Sequence, residues 1–240
     1  MPANHHLGPG GLPIHCGHAP HGPTPRHPVR IDVVSDVVCP WCYVGKRRLE
    51  AALAAHPYGD EFEVAYHPYE LNPGATASVP VPEALRRKYG ERDEEMMRRV
   101  VKAAADEGIT IDFATALRGN TFDAHRLIAH AGHHGRQGET VERLMAAHFT
   151  EGRDIAARGT LADVAADAGL DRDAALTMLA SGEGTAQVRE EIEAAQTMGV
   201  STVPTYIIER RWVVQGAQRA AVFSAALNQA SEAAAGNAVR

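Results

Sequence analysis

Two residues, Cys39 and Cys42, have the type and spacing for covalent chemistry. They stand in the stretch Ile31-Asp-Val-Val-Ser-Asp-Val-Val-Cys-Pro-Trp-Cys-Tyr-Val-Gly-Lys-Arg-Arg-Leu-Glu50. Ile31, Val33 and their β-branched neighbours favour a strand, whereas Trp41, Val44, Leu49, Ala52 and Leu53 fall on one face at helical spacing. Cys39 therefore sits where a strand gives way to a helix N-terminus. Unpaired backbone N–H groups and the positive end of the helix dipole converge there and favour a thiolate, and thiols in such C-x-x-C settings ionise below their ordinary value of about 8.5. Cys42 lies about one helical turn further on, close enough to close an intramolecular disulfide. Cys39 is expected to be the exposed attacking thiol and Cys42 the more buried resolving one. Pro40 suits the first helical position, where a missing N–H costs nothing, and Trp41 is expected to shield one side. Lys46, Arg47 and Arg48 could add positive potential, but their ordinary reading is a solvated helix face whose charges are screened within about 10 Å. Inert buried cysteines or half of a zinc site are the competing readings. The strand-to-helix context favours redox chemistry, and zinc normally takes four ligands where no second C-x-x-C exists.

Around this unit the chain divides by composition. Residues 1–29 are dense in Gly, Pro and His without an apolar period and are expected to be disordered. His5, His6, His15, His18, His21 and His27 lie there with Cys16, which allows a metal-binding reading beside the plainer one of a floppy extension or an over-long predicted start. Residues 61–67 alternate Phe62, Val64 and Tyr66 against Glu63, Ala65 and His67, a second strand. A proline-rich loop follows, with Pro68, Pro73, Pro80 and Pro82. Residues 82–198 read as helical almost throughout, with Thr121, Thr160 and Asp171 as N-caps and glycines at the helix ends. Sheet returns in Pro204–Glu209 and Arg211–Val214, a hairpin turning at Glu209-Arg210, and a helix over 217–233 closes the chain.

The order is thus β-α-β, a helical block, then β-β-α. Two half-units sharing one four-stranded sheet form a single α/β domain over 30–81 and 199–235, with 82–198 inserted as a cap. The net charge of −6 makes nucleic acid an unexpected partner. No apolar run reaches the length of a membrane span. Three cysteines do not make a disulfide framework, and the N-terminus has no signal-like apolar segment, so a cytoplasmic protein with reactive cysteines is expected.

Several ordered motifs resemble one family: Asp36-x-x-Cys-Pro-Trp-Cys-Tyr-x-Gly-Lys-Arg-Arg-Leu-Glu50, Leu71-Asn-Pro73, Asn120-Thr-x-x-Ala-His-Arg-Leu127, Glu151-Gly-x-Asp-Ile155, Gly199-Val200 with Val203-Pro204, and Gly216-Ala-Gln218. From about Arg30 to Gln218 the chain is similar to the DsbA-type thioredoxin-fold proteins, and within them to the FrnE-like oxidoreductases. The resemblance implies a thioredoxin fold and a thiol–disulfide exchange site made by Cys39 and Cys42. It also implies a cis Val203–Pro204 bond beside the pair, with Pro40, Trp41, Val203 and Pro204 contacting substrate. Pro204 would leave the backbone of Val203 free to pair with an extended substrate, and it offers no side-chain ligand to a metal. The implied substrates are disulfide- or dithiol-containing proteins or small molecules, with glutathione or thioredoxin as redox partner and no cofactor or metal. Thr202 stands where the family often has glycine and His148 where tyrosine is common. His125 is open between bonding a nearby carbonyl and a catalytic role. No second cysteine pair follows Gln218.

Three functions compete on this reading. The leading one is a disulfide oxidoreductase or isomerase of the DsbA type. The second is a glutathione-dependent isomerase or transferase acting on small molecules, a branch that places serine where Cys39 stands and needs no Cys42. The third is a non-enzymatic metal-binding protein using Cys16, Cys39, Cys42 and the N-terminal histidines. A homodimer through the helical block is allowed, and no feature demands it.

Overall fold

The structure, a computed structural model, describes residues 28–90 and 93–237. The expected N-terminal extension, with Cys16 and its histidines, lies outside the described residues up to residue 27. Strand β1 (Val29–Ser35) follows directly, with Val29, Ile31, Val33 and Val34 all buried, as a strand covered on both faces requires. Helix α1 (Pro40–Ala55) supplies the crossover that a parallel strand pair needs, and β2 (Phe62–Pro68) then pairs parallel with β1.

The chain next forms β3 (Val79–Pro80), α2 (Val81–Tyr89), α3 (Asp93–Ala105) and β4 (Leu117–Arg118). β3 and β4 pair antiparallel and pin the two ends of this excursion together. A proline-rich loop followed by a stretch helical almost throughout was expected here; a two-residue strand is too short to show a hydrophobic period, so only its long-range partner reveals it. Helices α4 (Phe122–His133), α5 (Gln137–Phe149), α6 (Arg158–Asp167), α7 (Arg172–Ala180) and α8 (Thr185–Thr197) complete the block. Leu127, Leu144, Met145, Leu161 and Leu179 are fully buried among α4 to α7. Asp171 caps α7, accepting a hydrogen bond from the Ala174 N–H at 2.7 Å. Thr160 is no cap: α6 begins two residues earlier and is entered from Ala157, so Thr160 lies within its first turn. The buried guanidinium of Arg126 donates to the carbonyls of Met178, Leu179, Ser181 and Glu183 at 2.8–3.2 Å, where α7 ends. A cation satisfying orphan carbonyls at a helix C-terminus is favourable on both hydrogen-bond and dipole grounds.

Strands β5 (Thr205–Ile208) and β6 (Trp212–Gln215) return to the first sheet, giving the order β2-β1-β5-β6 with β1–β5 and β5–β6 antiparallel. The turn falls at Glu209 and Arg210, as expected, with φ of 52° and 53°. Positive φ at both central residues gives the turn whose twist suits a tight hairpin, although it usually recruits Asn or Gly. Glu209 is tied to β1, its carboxylate accepting from the Arg30 N–H at 2.6 Å while its own N–H donates to the Arg30 carbonyl at 2.9 Å. Helix α9 (Ala220–Asn237) packs along α1 through Phe223, Leu227 and Ala230. One apolar cluster runs from the sheet into the helical block. Among the described residues no helix is long and apolar enough to cross a membrane.

His67 on β2 links the sheet to α8. Its Nδ1 lies 3.0 Å from Glu191 and its Nε2 2.8 Å from Asp32, which also binds the guanidinium of Arg30. The bond to Glu191 raises the imidazole above its usual 6.5, outweighing burial and reinforced by Asp32. A raised folded-state value means that the charged His67 stabilises the fold fully below about 6.5, and that this contribution fades as pH rises through the folded value. Urea unfolding at pH 6 and pH 9 is therefore expected to show the stability gap between wild type and His67→Gln shrinking at the higher pH, by on the order of 1 kcal/mol.

Candidate active site

The turn between β1 and α1 is built by Asp36. Its carbonyl accepts the Cys39 N–H at 3.0 Å, and its fully buried carboxylate accepts the N–H of Leu71 at 2.7 Å and of Val38 at 3.4 Å. His125 of α4 stands 3.6 Å from the same carboxylate, with Nε2 3.0 Å from the Tyr69 carbonyl. His125 thus bonds a carbonyl of the loop after β2, and with Asp36 it holds that loop against the cysteine turn.

Cys39 is the N-cap residue of α1, extended at φ −92° and ψ 111°, and its carbonyl accepts from the N–H groups of Cys42 at 2.9 Å and Tyr43 at 3.3 Å. Pro40 opens the helix, as expected. Both cysteines are free thiols. Cys42 is 2 % exposed; burial pushes its thiol well up, and its hydrogen bond with Cys39 pushes the same way. The Cys39 sulfur lies 3.8 Å from the carbonyl oxygen of Val203. The Val203–Pro204 bond is cis, as the family resemblance implied. The residues singled out from sequence, Cys39, Pro40, Trp41, Cys42, Val203 and Pro204, therefore meet at the junction of α1 and β5.

Two expectations need correction. Cys39 is itself buried, at 6 % exposure, because the cap stands over it: the sulfur-bearing turn opens into a cavity of about 230 Å³ walled by α2, α3 and the end of α5. The basic run after it is also no solvated face. Lys46 is 5 % exposed, and its ammonium bonds Glu142 of α5 at 2.7 Å as well as Glu50. Arg47 binds both carboxylates, Tyr43 donates to Glu142 at 2.8 Å, and Arg48 reaches Glu107 at 2.6 Å and the Ala217 carbonyl at 2.7 Å. Each cation of the run has a carboxylate against it, which offsets its field at the thiols. Glu142 answers by staying ionised: burial opposes its charge, but Lys46, Tyr43 and Arg47 together hold it below the usual carboxylate range.

Three more residues shape the site, of which the sequence reading names His148 only as a departure from the family and Gly45 only as a motif letter. Gly45 lies one turn into α1, where a Cβ would overlap the Tyr206 hydroxyl and stand 3.2 Å from Pro204, so its lack of a side chain sets how closely α1 approaches the cis proline. Tyr206 is buried with its hydroxyl unbonded. His148, where tyrosine was the family expectation, is 1 % exposed and edge-on to Phe149; burial lowers its imidazole to about 4, so it is neutral at pH 7. Gly45 and His148 carried no spacing signal; Gly45 was visible only as a fixed letter of the cysteine motif.

The DSBA-like thioredoxin domain family matches the chain over residues 30–228. A probable DsbA oxidoreductase from Streptomyces coelicolor shares 35% identity at a TM-score of 0.80, covering 84% of this chain and 89% of its own. The uncharacterized protein YwbO of Bacillus subtilis (strain 168) is 27% identical over 203 residues, 83% of this chain and 96% of YwbO. The cytosolic disulfide reductase DsbM from Pseudomonas aeruginosa, solved with GSH, shares the fold at a TM-score of 0.58 and 21% identity, covering 83% of this chain and 97% of DsbM.

Proposed function

This chain belongs to the DSBA-like thioredoxin domain family, a family of thiol–disulfide oxidoreductases, and we propose that it exchanges disulfides with its substrates through Cys39 and Cys42. The observation that carries this reading is the geometry of the pair: Cys39 at the N-cap of α1, one helical turn ahead of Cys42, with its sulfur 3.8 Å from the Val203 carbonyl oxygen. Cys39, as thiolate, attacks one sulfur of a substrate disulfide. A Cys39–substrate disulfide forms, the substrate S–S bond breaks, and the departing thiolate takes a proton from water. Cys42 then gives up its proton and attacks the Cys39 sulfur, closing the Cys39–Cys42 disulfide and releasing the second substrate thiolate. Two electrons have passed from enzyme to substrate, and an external dithiol or two monothiols return them. Run in reverse, the same steps oxidise a substrate dithiol.

Glutathione or thioredoxin fits the returning role. DsbM, with the same fold, is a cytosolic reductase seen with GSH, which supports glutathione and a cytoplasmic setting for this chain. The presence of Cys42 beside Cys39 weighs against a transferase that works without a resolving thiol.

Equilibration in glutathione buffers of graded GSH:GSSG ratio, followed by acid quench, alkylation and peptide mapping, tests the exchange. Cys39 and Cys42 are expected to become protected together along one two-electron transition, as a 39–42 disulfide. Independent glutathionylation of each cysteine, with no intramolecular bond at any ratio, would remove the basis of the proposal.

A further inference from the structure

The cavity in front of Cys39 has a chemical character of its own. Its walls are apolar, with Leu85 from α2, Met96, Met97 and Val100 from α3, and Phe113 and Phe149 closing the far side. Among the described residues its charged lining consists of Lys88 and Arg118, with no aspartate or glutamate, although the chain as a whole carries −6. Near the cysteine helix Arg47 and Arg48 are held by carboxylates, and in the cap Arg126 is held by carbonyls. The half-buried side chain of Arg118 has no such partner among the described residues. A guanidinium beside apolar walls is partly desolvated, and an anion that supplies its missing hydrogen bonds gains from that. A second polar group lines the same cavity without a partner: His148, whose buried Nδ1 makes no hydrogen bond. That nitrogen is sealed from solvent, so it packs behind the wall and offers nothing to a ligand in the cavity.

We propose that this cavity selects a small thiol or disulfide with an apolar body and one anionic group, the anion seated against Arg118 and the sulfur delivered to Cys39. The proposal rests on the exchange chemistry assigned to Cys39 above and adds the substrate class. Size favours a small molecule over a protein segment. At about 230 Å³ the space exceeds the apolar cavity of roughly 150 Å³ that suffices for benzene, so it has room for a substituted arene or short acyl body. An extended peptide laid along Val203 would cross the mouth of such a space without filling it.

Two assays on the full-length protein separate binding from chemistry. In the first, phenylbutyrate and its uncharged amide compete with iodoacetamide for Cys39. The acid is expected to protect at about tenfold lower concentration, the worth of one charge-assisted hydrogen bond, and Arg118→Gln is expected to erase that preference while Arg118→Lys keeps part of it. In the second, turnover of the dicarboxylated aryl disulfide dithiobis-nitrobenzoate is compared with that of uncharged dithiodipyridine, and the ratio of kcat/KM is expected to fall about tenfold in Arg118→Gln. Equal protection by acid and amide, or a preference that survives Arg118→Gln, overturns the proposal. So does an apolar peptide disulfide turned over faster than either aryl compound and unaffected by Arg118→Gln. Acid-selective protection without turnover of any disulfide would overturn the exchange chemistry while leaving anion selection in place.

Discussion

Cys39→Ser is expected to lose disulfide turnover by on the order of a thousandfold or more, whereas Cys42→Ser is expected to stall as a stable mixed disulfide on Cys39. The difference follows from where each sulfur sits. Cys39 lines the cavity and heads the helix; Cys42 lies one turn deeper, 2 % exposed. A serine hydroxyl at 39 is not ionised at neutral pH and cannot form a disulfide. Cys42 is held protonated by burial first, then by the hydrogen bond and charge of Cys39. Once Cys39 is tied up in a mixed disulfide, the contributions from Cys39 vanish and burial and the Asp36 charge are left to oppose ionisation, so Cys42 becomes easier to deprotonate at the step that needs it. Intact-mass spectrometry after exposure to a glutathione-capped substrate checks both halves. Full turnover in Cys39→Ser, or adducts accumulating on Cys42 in place of Cys39, would reverse the assignment of roles.

The second large effect is expected from a methyl group. In an exposed helix, Gly→Ala gains about 1 kcal/mol from backbone propensity. At Gly45 the sign is expected to invert, to a loss of about 1–3 kcal/mol, because the added Cβ meets the Tyr206 hydroxyl and the Pro204 ring in a fully packed junction. The obstructing atom is an unbonded hydroxyl, so Tyr206→Phe alone costs little and the double variant recovers much of the loss. Denaturant midpoints of the four proteins measure this directly. A Gly45→Ala protein as stable as wild type would mean that α1 and the cis proline are less closely opposed than the structure has them.

Local features were the readable part of this sequence. The strand-to-helix turn, the C-x-x-C pair and the Glu209-Arg210 hairpin each lie within a dozen residues, where period and turn chemistry speak directly. The fold class could be read because two incomplete halves, β-α-β and β-β-α, make one four-stranded sheet only together. What stayed hidden depends on partners far along the chain. Lys46 looks like any surface lysine until Glu142, 96 residues away, is brought against it. Cys39 looks exposed until α2 and α3 close over it. Asp36 and His125 were visible as letters of the family pattern, and their joint hold on the loop after β2 was not, because no period in sequence encodes a contact between a turn and a distant helix.

The ion cluster of Tyr43, Lys46, Arg47, Glu50 and Glu142 bears on how such a protein could be trimmed or grafted. Glu142 belongs to the inserted helices, yet the cations it neutralises belong to the helix that carries the cysteines. Excising the insertion to leave a minimal redox module would leave Lys46 and Arg47 sharing the single carboxylate of Glu50 and would uncover the face of α1 that α5 now covers. Any miniature of this enzyme would have to recode Lys46 and Arg47 before it could stand alone, so the cap and the catalytic scaffold are bound to be inherited as one piece.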